Sequence, residues 1–467
     1  MSGGASRLGG ASMLELFRSR RRAIVWFVEA SLLAMLVLAV AGVTVGWDRA
    51  IDREHVMRAV VIALVVQGSL YYHGLYGPAP IRGMGTLFST VMRALALAGA
   101  FLWLLFRFLP EGGGARFWAY GLALGGAALV LPAWRTALAR VAESARFRCT
   151  ALVLGSGPLA HACVDAMRNY DAGLVYAGRL VPDGDPTRAE PDVLGTISDL
   201  TRIARERNIR HIVVGYTDRR HQFPADELIS LKFQGVEIEE GVDFYERVTG
   251  QIFVRELRPS QIIFAHGFHV ARRTLFLKRA LDVFCATVGL VLAAPIMILT
   301  AIAIRLDSRG PIFYSQERSG AFGRPFMIYK FRSMRVDAEA DGKARWATED
   351  DPRITRVGRF IRKTRIDELP QLWNVLVGEM SLVGPRPERP VFNAQLEKEI
   401  PYFKQRLYVK PGLTGYAQVR CRYGASTEDQ LEKLQYDLFY IKTFSLWFDL
   451  SIMLDTVKVV LCRIGAR

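Results

Sequence analysis

Asp367 and Glu368 are adjacent carboxylates set directly behind a basic run. From Arg353 to Arg365 there are six Arg or Lys residues (Arg353, Arg356, Arg359, Arg362, Lys363 and Arg365) and no acid. Cations at that density gather phosphate oxygens, while the carboxylates can serve as nucleophile, general base or metal ligand. Pro370 fits the first turn of a helix, which places Asp367 or Glu368 at or near its N-cap. There the helix dipole keeps a carboxylate ionised and backbone amides can hold an anion. By itself, Asp-Glu-x-Pro fits an acidic helix cap better than a catalytic pair.

The elements that must position this pair belong to a long, apolar and basic chain. Its 467 residues predict two or three domains. Hydrophobic residues make up 51%, high for a wholly soluble protein, and a membrane accounts for it. With 61 Lys and Arg against 45 Asp and Glu, the formal charge is +16, which suits anionic lipid, phosphorylated substrates or nucleic acid. No zinc-finger, homeodomain or RRM word accompanies it, so nucleic acid ranks last. Cys149, Cys163, Cys285, Cys421 and Cys462 are scattered, without a Cys-x-x-Cys pair, and read as reduced thiols in the cytosol or membrane.

Four apolar segments come first, near Ala23 to Gly46, Val56 to Tyr72, Thr86 to Leu109 and Phe117 to Trp134. Each approaches or exceeds the roughly 20 residues of a spanning helix. Met1 to Arg22 lacks a cleavage site after a short apolar core and is expected to be an uncleaved anchor. Arg18, Arg20, Arg21 and Arg22 precede the first segment and Arg135, Arg140, Arg146 and Arg148 follow the fourth, which puts both ends in the cytoplasm. Glu29 falls inside the first span and is expected to make a contact within the bundle.

From Cys149 to about Gly250, short β-rich runs alternate with helix-like segments in a βαβ pattern. Thr150 to Leu154 leads into Gly155-Ser-Gly157-Pro-Leu-Ala160, a strand and glycine turn where dinucleotide folds hold a pyrophosphate. Ala160 replaces the third glycine and Asp183 comes only after Pro182, so the fingerprint is incomplete. Nucleotide binding and a structural or regulatory role, dimerisation included, both remain open.

Val283 to Ile304 is 22 residues without a charge, a fifth span by hydropathy alone. Arg272, Arg273, Lys278 and Arg279 precede it, and Arg305 and Arg309 follow, so both ends carry the inside signal. Pro295 at its middle removes a backbone hydrogen bond and bends the helix. A helix that enters, bends and returns satisfies both facts; an ordinary kinked span is the alternative. Leu438 to Val460 interleaves aromatic and aliphatic residues with charges, as either an interfacial amphipathic helix or a buried one does.

Five words occur in one order: Tyr329-Lys-Phe-Arg-Ser-Met334, Asp367-Glu-Leu-Pro-Gln-Leu-Trp-Asn374, Met380-Ser-Leu-Val-Gly-Pro-Arg-Pro387, Lys410-Pro-Gly-Leu-Thr-Gly-Tyr-Ala-Gln418 and Tyr436-Asp-Leu-Phe-Tyr-Ile-Lys442. Over residues from about 275 to 465 the chain resembles the bacterial sugar transferases, monotopic phosphoglycosyl transferases that move a sugar 1-phosphate from a nucleotide sugar to polyprenyl phosphate. The upstream part resembles the large form of that family, and Gly235 to Ile238, Phe244 to Gly250 and Leu257 to Ser260 are similar to its exopolysaccharide-initiating branch. Tyr416 and Phe439 depart from the commoner family residue by an aromatic exchange only.

The resemblance implies a multidomain membrane protein: a four-helix transmembrane bundle over 1–148, a Rossmann-like α/β cytosolic domain over 149–250 and a linker over 251–274. An α/β catalytic domain over 275–467 would follow, with a re-entrant helix over 275–306 kinked at Pro295 and interfacial helices. It implies Asp367 as the nucleophile of a phosphosugar-aspartyl intermediate and Glu368 as its orienting group or base. Arg362 and Arg386 match phosphate- and nucleotide-contacting positions, Lys330 and Arg332 match the Lys-Phe-Arg word, and Pro385 and Pro387 stiffen the loop carrying Arg386. Mg²⁺, held at Asp367, is the implied cofactor, and a hard cation suits diphosphate and carboxylate together. The implied partners are a UDP-sugar, polyprenyl phosphate, membrane lipid and a second copy of the chain, at the cytoplasmic face of a bacterial inner membrane. Two rival readings are an NAD-dependent sugar-modifying enzyme and a non-catalytic assembly scaffold. The first requires a complete glycine fingerprint and a Tyr-x-x-x-Lys in 150–250, where neither occurs. The second leaves Asp367 replaceable.

Overall fold

The computed structural model describes residues 20–76, 84–107, 117–143, 149–170, 173–216, 223–265, 267–268, 270–336, 338, 351–421, 424 and 426–461. Arg18, Arg146, Arg148 and Cys462 lie outside them. The described chain falls into two compact units, one ending at Gly241 and one beginning at Val242.

In the first unit, α1 (Arg20–Val45), α2 (Arg53–Tyr72), α3 (Met84–Arg107) and α4 (Phe117–Glu143) share one apolar core, drawn from Leu33, Val66, Leu95 and Leu131 among others. All four are long and apolar enough to cross a membrane. Glu29 is wholly buried, as an ionisable group inside such a bundle must be. Arg135 of α4 pairs with it at 2.8 Å, and the Tyr76 hydroxyl donates to it. The carboxylate therefore ties α1 to α4.

Further along this unit, β1 (Cys149–Leu154), β2 (Leu174–Val181), β3 (Val193–Thr196), β4 (His211–Val214) and β5 (Glu237–Glu240) form a parallel sheet in the order β3-β2-β1-β4-β5. Helix α5 (Pro158–Asn169) follows β1, α6 (Leu200–Glu206) follows β3 and α7 (Ala225–Phe233) follows β4. Strands buried on both faces read as continuous apolar runs, which is why Ala151 to Leu154 and Ile212 to Val214 are buried without alternation. The glycine turn is tight: Gly155 has φ +122°, and a Cβ at Gly215 would stand 2.8 Å from the Ala160 Cα. The Ser156 hydroxyl donates to Asp185 at 2.5 Å, so a carboxylate faces the turn where a dinucleotide fold holds phosphate.

In the second unit, α8 (Arg272–Asp307) is a 36-residue helix, continuous through Pro295 and, among the described residues, the fifth one long and apolar enough for a membrane. Phe276, Phe284, Val291, Leu292, Leu299 and Leu306 are exposed along it. Both of its ends are fastened to the same unit. At the start, Lys278 donates to Val383 O (3.0 Å) and pairs with Asp449 (2.7 Å), and Arg279 donates to Val375 O and Leu376 O (2.6 and 2.7 Å). Near the end, Ile304 packs with Phe331 and Ile361, and Asp307 accepts from Val357 N.

A hairpin follows, β6 (Phe313–Ser319) against β7 (Pro325–Phe331). Beyond it come α9 (Arg356–Lys363), α10 (Gln371–Val377), β8 (Ser381–Val383), α11 (Pro390–Glu399) and β9 (Gly412–Thr414), the last parallel to β8. The stretch Leu438 to Val460 is not one helix. It is divided between α12 (Thr427–Lys442) and α13 (Leu446–Leu461), because Thr443 leaves helical geometry and Ser445 caps α13 by accepting from Phe448 N at 3.2 Å. Helix α13 buries polar groups among apolar ones and exposes apolar ones: Asp449, Ser451, Asp455 and Lys458 are buried with Phe448 and Ile452, while Trp447, Leu450, Val457 and Val460 are exposed. That polarity suits a helix with its outer face in hydrocarbon. Upstream, within 251–274, Ile252, Phe253 and Val254 are buried and Tyr402 donates to Leu257 O at 3.0 Å.

Candidate active site

Lys330 stands on β7 in step with Phe326 and Ile328, the inward positions of an alternating strand. Its opposite neighbour Phe331 stacks on Phe313 at 5.3 Å and joins the Ile304–Ile361 core, which fixes the strand's rotation. Helix α10 is fastened to this strand by Asn374, which is wholly buried. Its Oδ1 accepts from Tyr329 N (3.2 Å), and its Nδ2 donates to Met327 O and Glu379 Oε2 (2.7 Å each). Asn374 lies inside the Asp367 word, yet its spacing carried no sign of this clasp.

The dyad sits between these elements and α9. Thr355 caps α9 by accepting from Gly358 N (2.9 Å), and the helix ends at Lys363. Arg365 then adopts a left-handed conformation, φ 59° and ψ 13°, uncommon for a residue with a Cβ. Its turn feeds a 3₁₀ segment, Ile366–Glu368, in which Ile366 packs into the core and Asp367 is buried. The helix begins later than the spacing predicts: Pro370 is the cap residue of α10 and not in its first turn, so neither carboxylate is the N-cap. A 3₁₀ turn had absorbed the acidic pair first.

The two carboxylates have different surroundings. Glu368 Oε1 receives Lys330 Nζ at 3.0 Å and Arg386 Nη2 at 3.1 Å, with Arg365 Nη1 at 3.8 Å. Burial would raise the Glu368 carboxyl, but the Lys330, Arg386 and Arg365 cations outweigh it and hold the group well below the usual carboxylate range. Asp367 is 8% exposed, and its Oδ1 has no hydrogen-bond partner among the described residues. Burial first, and then the Glu368 charge, push it up to about 6 against the pull of Lys330, Arg365 and Arg362. One member is thus a fixed anion, and the other is a buried carboxylate with an open oxygen.

The remaining sequence candidates divide. Arg386 is in the site, on a loop bounded by Pro385 and Pro387. The side chain of Arg362, at the end of α9, makes no hydrogen bond or ion pair among the described residues and acts on Asp367 through its field. Arg332 is not in the site: its guanidinium donates to Arg309 O (3.0 Å) and to Ser308 O and Oγ (2.8 Å each), closing the C-terminal end of α8. Strand alternation would put it on the face of Lys330, but β7 ends at Phe331 and the chain leaves the pleat there. Arg365, which the sequence leaves as a solvated charge, faces Glu368, while Arg353 is committed to Asp351 at 2.6 Å. Among the described residues no three His, Cys, Asp or Glu side chains gather into a metal-holding group.

The family model of the bacterial sugar transferases matches residues 273–463, a span containing every group just described. A curated undecaprenyl-phosphate galactose phosphotransferase of Salmonella typhimurium is 34% identical over 337 residues, 68% of each chain. The chain belongs to the bacterial sugar transferase family. Two other relatives of this bacterial sugar transferase match over shorter stretches. A UDP-N-acetylgalactosamine-undecaprenyl-phosphate N-acetylgalactosaminephosphotransferase of Aeromonas hydrophila is 43% identical over 222 residues, 48% of this chain and 52% of its own. A UDP-glucose:undecaprenyl-phosphate glucose-1-phosphate transferase of Escherichia coli is 45% identical over 183 residues, 39% of each chain. The chain thus spans about half the length of the first and two fifths of the second.

The transferase's dyad makes a pH prediction. With Asp367 raised to about 6, its folded form favours the proton, a stabilising contribution complete below the ordinary Asp value and lost as pH rises through about 6. A nucleophilic role needs the ionised form. The kcat/KM, which reports the free enzyme, should therefore climb about tenfold per unit below pH 6 and level off above it. In Lys330→Met the limb should move to higher pH. A flat profile from pH 5 to 8 would remove Asp367 from the chemistry.

Proposed function

We propose that this chain transfers a sugar 1-phosphate from a UDP-sugar to undecaprenyl phosphate and releases UMP, the first membrane step of exopolysaccharide or other surface-glycan synthesis. The observation that carries this reading is the division of labour in the dyad: three cations face Glu368, while Asp367 keeps an open, buried oxygen.

In the first half-reaction Asp367 attacks the β-phosphorus of the UDP-sugar. The bond from that phosphorus to the bridging oxygen breaks, and UMP leaves with the electron pair. A phosphosugar-aspartyl mixed anhydride, an acyl phosphate, forms. An oxygen of undecaprenyl phosphate then attacks the same phosphorus, giving the lipid diphosphate sugar and restoring the carboxylate. Lys330, Arg386 and Arg365 keep Glu368 ionised, and this fixed anion in turn orients Lys330 and Arg386 toward the phosphates. Arg362 adds positive potential at the nucleophile. Mg²⁺ fits the site through the open Asp367 Oδ1 together with substrate phosphates, since this ion commonly takes only one or two carboxylates. When bound it supplies charge neutralisation on the diphosphate.

The reading places the dyad on the cytoplasmic face of the inner membrane, with α8 as a re-entrant helix. A nucleotide sugar made in the cytoplasm can reach the dyad only from that side. What supports re-entrance is that Lys278 and Asp282 near one end of α8, and Ile304 and Asp307 near the other, are all held by the same compact unit. Cysteine labelling in intact cells at positions 273 and 309 is expected to give the same accessibility at both. Opposite accessibility would refute re-entrance. The transfer itself is tested by UMP release from membranes supplied with undecaprenyl phosphate, Mg²⁺ and a panel of UDP-glucose, UDP-galactose and N-acetylated UDP-hexosamines. The donor that turns over identifies the sugar, and no release from any of them would defeat the reading.

A further inference from the structure

The loop Gly384 to Glu388, which carries Arg386, cannot hold itself in place. Pro385 and Pro387 have no N–H, so the loop must be gripped largely through its carbonyl oxygens. Four consecutive carbonyls each accept a hydrogen bond from outside. Pro385 O takes the Gly412 N–H (2.9 Å), Arg386 O the Arg406 guanidinium (3.2 Å), Pro387 O the Arg318 guanidinium (3.2 Å) and Glu388 O the Ser319 N–H (3.0 Å). Two of those four donors are arginine side chains that no step of the chemistry uses.

Both arginines are themselves anchored. Arg406 is 4% exposed; its Nη2 forms an ion pair with buried Asp437 of α12 at 2.8 Å, and its guanidinium lies 5.1 Å from the Phe403 ring centroid. Arg318, at the end of β6, donates to Gln316 Oε1 at 2.8 Å and lies 3.7 Å from Glu388. We infer that Arg406 and Arg318 are positioning residues: by gripping the carbonyls of Arg386 and Pro387 they fix the backbone from which the Arg386 guanidinium reaches Glu368 and the substrate diphosphate. Nη2 of Arg406 faces Asp437 and the Arg386 carbonyl at once. A lysine keeps the buried charge opposite Asp437 but presents a compact ammonium on a differently shaped stem and loses the planar fork.

This inference rests on the proposed use of Arg386 as a phosphate ligand. The test uses the solubilised full chain and two readouts: pyrophosphate affinity by calorimetry, and UMP release from the UDP-sugar. Arg406→Lys is expected to weaken pyrophosphate binding and lower kcat/KM by roughly ten- to a hundredfold, the usual scale for a displaced catalytic neighbour. In an Arg386→Ala background it should cost nothing further, and the melting temperature should stay near that of the parent. Arg318→Lys gives a second, independent route to the same cycle. Pyrophosphate affinity equal to the parent's in both lysine variants, or losses that multiply with Arg386→Ala, would overturn the positioning role. Failure of the transferase reading would appear separately, as no UMP release from the parent chain, while the pyrophosphate cycle would still decide the role of the two arginines.

Discussion

Asp367→Asn is expected to abolish UMP release, with a fall of at least about three orders of magnitude in kcat, because an amide cannot open the covalent route. The substitution preserves size and leaves the Glu368 contacts with Lys330 and Arg386 in place, so the protein should fold and still bind donor. Removing the Asp367 charge also relieves its repulsion with Glu368. Stability should therefore hold or rise slightly as turnover disappears. A covalent phosphosugar adduct, read by intact mass after rapid quench with donor alone, should appear on the parent chain and be missing from the variant. Undiminished turnover in Asp367→Asn would sink the aspartyl intermediate and leave direct transfer between the two phosphates.

The second large effect belongs to Lys278, far from the dyad in sequence. Its ammonium is almost buried and meets Asp449 Oδ2 (2.7 Å), Val383 O (3.0 Å) and the Tyr440 hydroxyl (3.4 Å), while Tyr440 donates to Asp449 Oδ1 at 2.8 Å. One cluster therefore joins the start of α8, the last residue of β8, α12 and α13. Lys278→Met would leave the Asp449 carboxylate buried without its cation, a loss of about 3–5 kcal/mol. A destabilisation of that size should leave little folded protein after solubilisation. Adding Asp449→Leu should recover much of the melting temperature, because an apolar pair tolerates this interior better than an unpaired charge. A single variant that melts within a degree or two of the parent would show that the cluster does not hold the fold. Since Val383 leads directly into Gly384 and the Arg386 loop, partial rescue of folding with incomplete rescue of turnover is the expected pattern.

Several of these features were legible along the chain. The four apolar segments, the parallel βαβ part and the uncharged stretch from Val283 to Ile304 are visible because hydropathy and period act over many consecutive residues; the first three segments became helices near their expected limits, the fourth runs on to Glu143 and the uncharged stretch is part of a helix that starts at Arg272. Asp367, Glu368, Lys330 and Arg386 also carry their signal locally, in words specific enough to be matched. The errors came where neighbours in space overruled local pattern. Pro370 looked like a first-turn residue, but a left-handed Arg365 and a 3₁₀ turn came first. Arg332 shares a word with Lys330 and turns away to the end of α8.

The sequence by itself determined which kinds of residue are present and in what order: an acidic pair, cations to meet phosphate, and helices with enough hydrocarbon to bind a membrane. Only the tertiary structure decided which carboxylate does what. Asp367 and Glu368 are adjacent and chemically alike, and no spacing separates them. Three cations from β7, the Arg365 turn and the Arg386 loop converge on Glu368 and hold its charge, while burial and that same charge raise Asp367 and leave one of its oxygens open. The asymmetry arises from Coulomb forces between side chains up to tens of residues apart, so it exists only once the chain has brought them within a few ångströms.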